Sequence, residues 1–367
     1  MCHVFGVTLG GATGAPQSAA ASSMRVMSAN ANNPSSLTPK PSLDDILSRA
    51  HVVALPMAVK FRGVTTREAL LIDGPAGWGE FAPFLEYDAR ESATWLRSAI
   101  ECAYFGLPTP LRDSVEVNAT IPSVSPGEVR NVVKRYPGCR TFKVKVAERG
   151  QLLADDISRV HAVRVAVRDL YGIEPVIRVD ANRGWSVAEA IRAAHELGEL
   201  EYMEQPVASV AELRQVRDAV GDFCRVAADE SIRRADDPYL VVREKAADVG
   251  VMKVAPLGGP RRLLRLAGEL SLDVTVASAL DTGVGIAAGL YTAAALPATA
   301  TQPMPAAAGL ATSSLFVEDV IEPRPLVDGR LPVANPVPDP ARLAELAASH
   351  ERRDWWFERV RQCYPFL

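Results

Sequence analysis

"PVIRVDANRGWSVAEAIRAAHELGELEYMEQP", residues 175–206, passes from one apolar run ending in Asp180, through a helical pattern, to a second apolar run ending in Glu204. A strand, a helix and a second strand within about thirty residues describe one parallel βαβ unit. The same beat continues in both directions. Short apolar runs recur at 115–121 (VEVNATI), 141–146 (TFKVKV), 225–229 (RVAAD), 248–254 (DVGVMKV) and 273–278 (DVTVAS), with "SVAELRQVRDAV" and "GPRRLLRLAGEL" as intervening helices. Seven strands, with an eighth expected at 307–311 (AAGLA), predict a (β/α)7β TIM-like barrel over residues 113–317. A doubly wound open sheet is the alternative, but the GxGxxG that such a sheet uses for a dinucleotide is missing after the early strands.

In a barrel, chemistry sits at the C-terminal ends of the strands. Those positions hold Lys145, Asp180, Glu204, Asp229 and Lys253, separated by 35, 24, 25 and 24 residues, one βα unit each time. Each therefore ends its own strand, and the five ring one mouth. Three carboxylates converging on one point repel unless a cation lies among them. Hard oxygen donors with no Cys or His beside them favour Mg²⁺ and tolerate Mn²⁺. Taken singly, a strand-end Asp reads as a helix cap and a strand-end Lys as a surface residue; the common spacing is what points to a site. Lysines facing a divalent cation in a partly dry site suit proton transfer at carbon, and the metal suits the charge that builds on a carboxylate as its α-proton leaves. Lys143 and Lys145 share one strand face. Lys143 is expected behind Lys145, its charge lowering the proton affinity of its neighbour.

The outer segments read differently. "HVVALPMAVKFRG" and "EALLIDGPAGWGEF", followed by the helical "DARESATWLRSAIECAYFG", predict an α+β capping domain over 42–112, with 318–367 packing back toward it. Residues 1–41, rich in Ala, Ser, Asn, Gly and Pro, predict a disordered extension, with Met24 and Met27 as alternative starts.

Bulk properties exclude several classes. A net charge of −4 from 40 basic and 44 acidic residues, with no basic stripe, gives no expectation of nucleic-acid binding. No apolar run reaches a membrane span. Five scattered cysteines without a CxxC predict reduced thiols and a cytoplasmic protein. None of the five histidines lies at a strand end and no G-x-S-x-G elbow is present, so histidine-based and serine-nucleophile chemistry lack support. The partner expected is a small-molecule carboxylate substrate; monomer and homo-oligomer both stay open.

The motifs KxK (143–145), "RVDAN", "EYMEQP", "ADES" and "MKVAPLGG", in this order, resemble the enolase superfamily, muconate-lactonizing subgroup. The flanking "NATIPSV", "SALDTGVGIAAG" and "RRDWWFERV" are most similar to actinobacterial-type o-succinylbenzoate synthases, over about residues 42–367. The resemblance implies one Mg²⁺ and loss of water from 2-succinyl-6-hydroxy-2,4-cyclohexadiene-1-carboxylate, a step in menaquinone synthesis. It implies Lys145 as the base, Lys253 as the charge across the ring, and Asp180, Glu204 and Asp229 as metal ligands. Weaker claims attach to Arg178 and Asn182, and to Ser278, Asp281 and Gly283 after the seventh strand, whose amides and hydroxyl are expected to receive the succinyl carboxylate. Arg62 is carried as a cap-loop residue reaching the site, against a solvated loop arginine. An N-succinylamino-acid racemase on the same scaffold, using the two lysines on opposite faces, is the alternative; a non-catalytic homologue would have no physical reason to retain two lysines and three carboxylates as unfavourable neighbours.

Overall fold

The structure, a computed structural model, describes residues 39–61, 64–233 and 238–367, with the side chains of 59–61 not described. Most of the expected N-terminal extension, and Arg62, lie outside the described residues. The described residues belong to one compact unit. Lys40 and Pro41, at the end of the expected extension, are tied to the C-terminus: Lys40 donates to the Tyr364 carbonyl at 2.9 Å, and the Tyr364 hydroxyl to the Pro41 carbonyl at 2.9 Å.

Strands β1 (Ala50–Phe61), β2 (Val64–Gly74) and β3 (Gly77–Phe81) form an antiparallel sheet in that order. Helix Ala89–Ile100 lies close against it, so close that a Cβ on Gly79 would fall 2.0 Å from the Ala99 carbonyl oxygen. Strand β4 (Ser114–Glu116) leads into the barrel strands β5 (Ala119–Ile121), β6 (Thr141–Lys145), β7 (Val176–Asp180), β8 (Tyr202–Glu204), β9 (Val226–Ala228), β10 (Val249–Lys253) and β11 (Asp273–Ala277). Strand β12 (Arg330–Pro332) pairs antiparallel with β4.

The seven barrel strands are parallel and adjacent in chain order, as the alternating runs predict. The expected eighth segment contributes two parallel bridges, Val117 with Ala308 and Ala277 with Gly309. These join the first and last strands of the curled sheet through 307–311.

Helices between strands start where the sequence supplies caps. The tetrad SVAE occurs twice, and both Ser186 and Ser209 accept the amide three residues on while Glu189 and Glu212 reach back to the cap amides. The long step between Lys145 and Asp180 is absorbed by helix Leu153–Tyr171, 19 residues against 10 and 11 in the next two units.

Period-two alternation divides the barrel strands. Phe142, Val144, Ile177, Val179, Met203, Val226 and Met252 join the cluster shared with the outer helices. Tyr202, Ala227, Val249, Val251 and Ala277 form a small separate cluster inside. A third cluster unites β1–β3 and helix Ala89–Ile100 with Leu315–Cys363, and takes in Ala279, Leu280 and Val284 from the barrel rim.

Candidate active site

The charged residues take their positions from this alternation. Register places Lys145 opposite Asp180 and Asp180 opposite Glu204, so three of the five strand-end residues lie at one level on neighbouring strands. Asp229 is the first residue after β9, and Lys253 is the last of β10. Two residues deeper, Lys143 pairs in register with Arg178, and Arg178 with Tyr202.

The carboxylates are buried and each meets a cation. Lys143 Nζ lies 3.0 Å from Glu204 Oε2 and 3.8 Å from Asp180 Oδ2. Lys145 Nζ contacts Asp180 Oδ2 directly and donates to Asn182 Oδ1 at 2.7 Å. Lys253 Nζ contacts Asp229 Oδ2 directly, while Arg233 Nε holds Asp229 Oδ1 at 2.7 Å.

Burial works against every charge here, and the neighbours decide the outcome. For Asp180, burial raises the carboxyl, but Lys145 and Lys143 outweigh it and hold the group at about 2. Asp229 is likewise raised by burial and carried well below the usual carboxylate range by Arg233 and Lys253. Glu204 goes the other way: burial, then the nearby Asp180 charge, push it up to about 7 despite Lys143. Lys143 loses affinity for its proton through burial and regains more from Glu204 and Asp180, so it stays an ammonium. Lys253 is lowered, because its burial exceeds the attraction of Asp229.

Loop geometry supports the ring. Asn182 and Gln205 adopt left-handed backbone, φ 44° and 37°. Asn182 thereby donates its amide to Asp180 Oδ1 at 3.0 Å. The Gln205 side-chain oxygen accepts from the amides of Asp229 and Ser231 at 3.0 and 3.1 Å and so fixes the chain after β9.

One cavity at this mouth is lined by Lys143, Lys145, Asp180, Asn182, Lys253 and Ser278 among the sequence-predicted residues. Arg233, Phe84, Thr120, Ala279, Leu280 and Thr312 also line it, with Ala277 and Gly309. Glu204 and Asp229 sit behind it, covered by their cations. Among the described residues, no group of three or more His, Cys, Asp or Glu side chains is gathered closely enough to hold a metal ion. Each proposed ligand is drawn instead toward an ammonium or guanidinium.

Besides Glu204 and Asp229, three more expected residues do not line the cavity. Arg178 shares the inward face but turns toward the opposite end, donating to Glu201 Oε2 at 2.6 Å, Asn118 Oδ1 at 3.0 Å and the Ala307 carbonyl at 2.6 Å. It is a structural partner there. Asp281 accepts the Ala279 amide at 3.1 Å, on the far side of its loop. The Gly283 amide, expected to receive a substrate carboxylate, donates to Asp319 at 2.8 Å, and the amides of Thr282 and Gly285 donate to Glu80. That anion position is filled by the chain's own carboxylates, which corrects the expected use of these amides.

Arg233 was not foreseen. Its side chain is 3% exposed and joins Asp229, Glu230 Oε1 at 2.8 Å and the hydroxyl of Tyr87 in the cap at 3.2 Å. Its position four after Asp229, one helical turn on, is the signal that was available.

Comparison with known proteins follows the same lines. Residues 52–103 match the model described as enolase N-terminal domain-like, and residues 128–338, more than half the chain, the model described as enolase C-terminal domain-like. An o-succinylbenzoate synthase of Mycolicibacterium smegmatis is 56% identical over 330 residues, covering 89% of this chain and 98% of its own. Its counterpart from Mycobacterium tuberculosis H37Rv is 55% identical, covering 89% and 97%. The structure of muconate lactonizing enzyme from Pseudomonas fluorescens superposes with a TM-score of 0.67 at 23% identity, over 82% of this chain and 98% of that one. L-Ala-D/L-Glu epimerase from Bacillus subtilis gives 0.65 at 23%, over 79% and 96%. At such identity these two likenesses speak for the fold. The near full-length relatives and the two matched models go further: the chain belongs to the enolase superfamily, among its o-succinylbenzoate synthases.

Proposed function

We propose that the chain removes water from 2-succinyl-6-hydroxy-2,4-cyclohexadiene-1-carboxylate to give 2-succinylbenzoate, with Lys145 as base and Lys253 as its counterpart. The observation that carries this reading is that both lysines, from strands β6 and β10, open on one cavity beside Asp180. Lys145 Nζ takes the proton α to the carboxylate and then delivers it to the departing hydroxyl. Asp180 and Asn182 orient that nitrogen. Lys253 balances negative charge on the other side of the ring. Phe84 and the 278–280 wall exclude water.

Members of the superfamily bind a divalent metal. By its chemistry the donor set suits one: three buried carboxylates with no sulfur or imidazole, of which Glu204 is pushed up to about 7 by burial and then by the charge of Asp180. Asp180, Glu204 and Asp229 would hold Mg²⁺, with Mn²⁺ as a substitute. Held there, the ion would supply positive charge to offset the negative charge that builds on the substrate carboxylate.

We assign residues 42–112 and 318–367 to a cap and 113–317 to the barrel, supported by the cluster joining the first two segments. No helix among the described residues is long and apolar enough to cross a membrane. The buried free thiols of Cys102, Cys139, Cys224 and Cys363 support a cytoplasmic setting.

Purified protein with Mg²⁺ should bleach the diene absorbance of the substrate, and EDTA or Lys145→Ala should stop it. Full activity in Lys145→Ala would refute the assigned base. Exchange at the α-carbon of N-succinylamino acids without any dehydration would move the assignment to a racemase.

A further inference from the structure

Part of the apolar cavity wall comes from two places: Phe84 in the cap, and Ala279 and Leu280 on the loop after β11. Leu280 is 3% exposed and has φ 65°. A buried leucine in left-handed backbone is strained and persists only where its surroundings hold it.

Arg67, on β2, does the holding. It is 4% exposed. Its Nε donates to the Leu280 carbonyl at 3.0 Å, its Nη2 to the Ala82 carbonyl, and its guanidinium lies 4.6 Å from the centre of the Phe84 ring. One planar cation therefore grips the backbone beneath both halves of the wall. The rest of the loop is fixed independently, by the Ser278 amide on the Gly309 carbonyl and by Thr282 on Glu80. Leu280 is the part that depends on Arg67.

Resting on the dehydratase reading above, we propose that Arg67 is a positioning residue for substrate selection. It touches no catalytic group. It sets the separation between Phe84 and Leu280, and with it the length of acyl side chain that fits once the ring carboxylate lies against the lysine side. A lysine cannot replace it, because a single ammonium lacks the planar fork that reaches two carbonyls and stacks on a ring.

The test is steady-state kinetics on Arg67→Lys, with calorimetric binding of 2-succinylbenzoate and of 2-glutarylbenzoate, one methylene longer. The wild type should prefer the succinyl compound by roughly tenfold or more, as one methylene in a fitted pocket allows. Arg67→Lys should raise KM about tenfold, change kcat less than about threefold, and lose that preference. Leu280→Gly, which accepts positive φ without support, should fold and lose the same preference even if Arg67→Lys does not fold. Retained preference in either folded variant, or a fall in kcat with KM and preference intact, would overturn the proposal. A wild type that neither turns over the diene nor binds the product would overturn the dehydratase reading and this inference with it; an active wild type with unaltered variants overturns this inference alone.

Discussion

Lys143 and Lys145 lie two residues apart on one face, yet their surroundings separate their tasks. Lys145 opens on the cavity beside Asn182; Lys143, buried below it, spans Glu204 and Asp180. Its main service is to the carboxylates. Lys143→Ala therefore leaves Glu204 crowded by Asp180 with its nearest cation gone. A carboxyl raised in the fold contributes stability that is present below its unfolded value and lost as pH rises through the folded value. Glu204 already stands at about 7, and removing Lys143 takes away a lowering influence. The loss must then be deeper and extend to higher pH. In EDTA, the gap in Tm between wild type and Lys143→Ala should widen from about pH 6 to about pH 8, reaching a few kcal/mol in stability, the usual scale for a broken buried pair. A gap constant with pH would show that Glu204 does not depend on Lys143. At this scale the sequence revealed what strand ends display and little else. Asp180, Glu204, Asp229 and the lysines were legible because strand runs have visible ends and a one-unit repeat. Arg233 was not, because a guanidinium on a short helix reads like any solvated charge until its burial is known.

Among elements, the helix Gly283–Ala295 shows why a motif's shape can be read more easily than its use. The sequence around Gly283 predicts that backbone amides after the seventh strand receive a carboxylate, and the amides of Gly283 and Gly285, in the first turn of this helix, do bind carboxylates. The carboxylates belong to Asp319 and Glu80, which come from segments remote in sequence. Glu80 was a lone charge in the strand GWGEF, and only the fold shows where it points. The arrangement also explains why position 285 has no side chain. A Cβ there would stand 2.7 Å from Glu80 Oε2 and 2.7 Å from Asp281 Cβ. Gly285→Ala should cost about 1–3 kcal/mol, as overpacking does, and lower Tm. Gly268 is the matched control: it lies in helix Pro260–Glu269, and an added Cβ there would have nothing within 4 Å. Gly268→Ala should raise stability by about 0.5–1 kcal/mol, since alanine loses less backbone entropy in a helix. Equal shifts of the same sign in thermal denaturation would refute the contact at Gly285.

For the whole molecule, the question is what joins the sheet β1–β3 to the barrel, and much of the polar answer lies in Glu80. It accepts from the Thr282 amide at 3.1 Å, the Thr282 hydroxyl at 2.6 Å and the Gly285 amide at 2.8 Å, so a cap residue caps a barrel helix. Burial, then the charge of Asp281, push Glu80 up to about 8. Asp281 is itself raised, chiefly by burial. The sign follows from the cycle: below an unfolded value near 4.5, Glu80 is protonated in both states and folding is not penalised. Above it the unfolded chain releases the proton while the fold retains it, so stability declines until pH passes the folded value. The full decline is on the order of a few kcal/mol at about 1.4 kcal/mol per unit. Glu80→Gln keeps an acceptor and removes the titration. Wild-type Tm should therefore fall relative to Glu80→Gln between about pH 5 and about pH 8, and above that the gap should stay constant at its widest, the variant being relatively most favoured in alkali. Melting curves that stay parallel across that range would mean that Glu80 is charged in the fold, its charge offset by Arg67 within the cap, and that an ionised carboxylate rather than a protonated one caps the barrel helix.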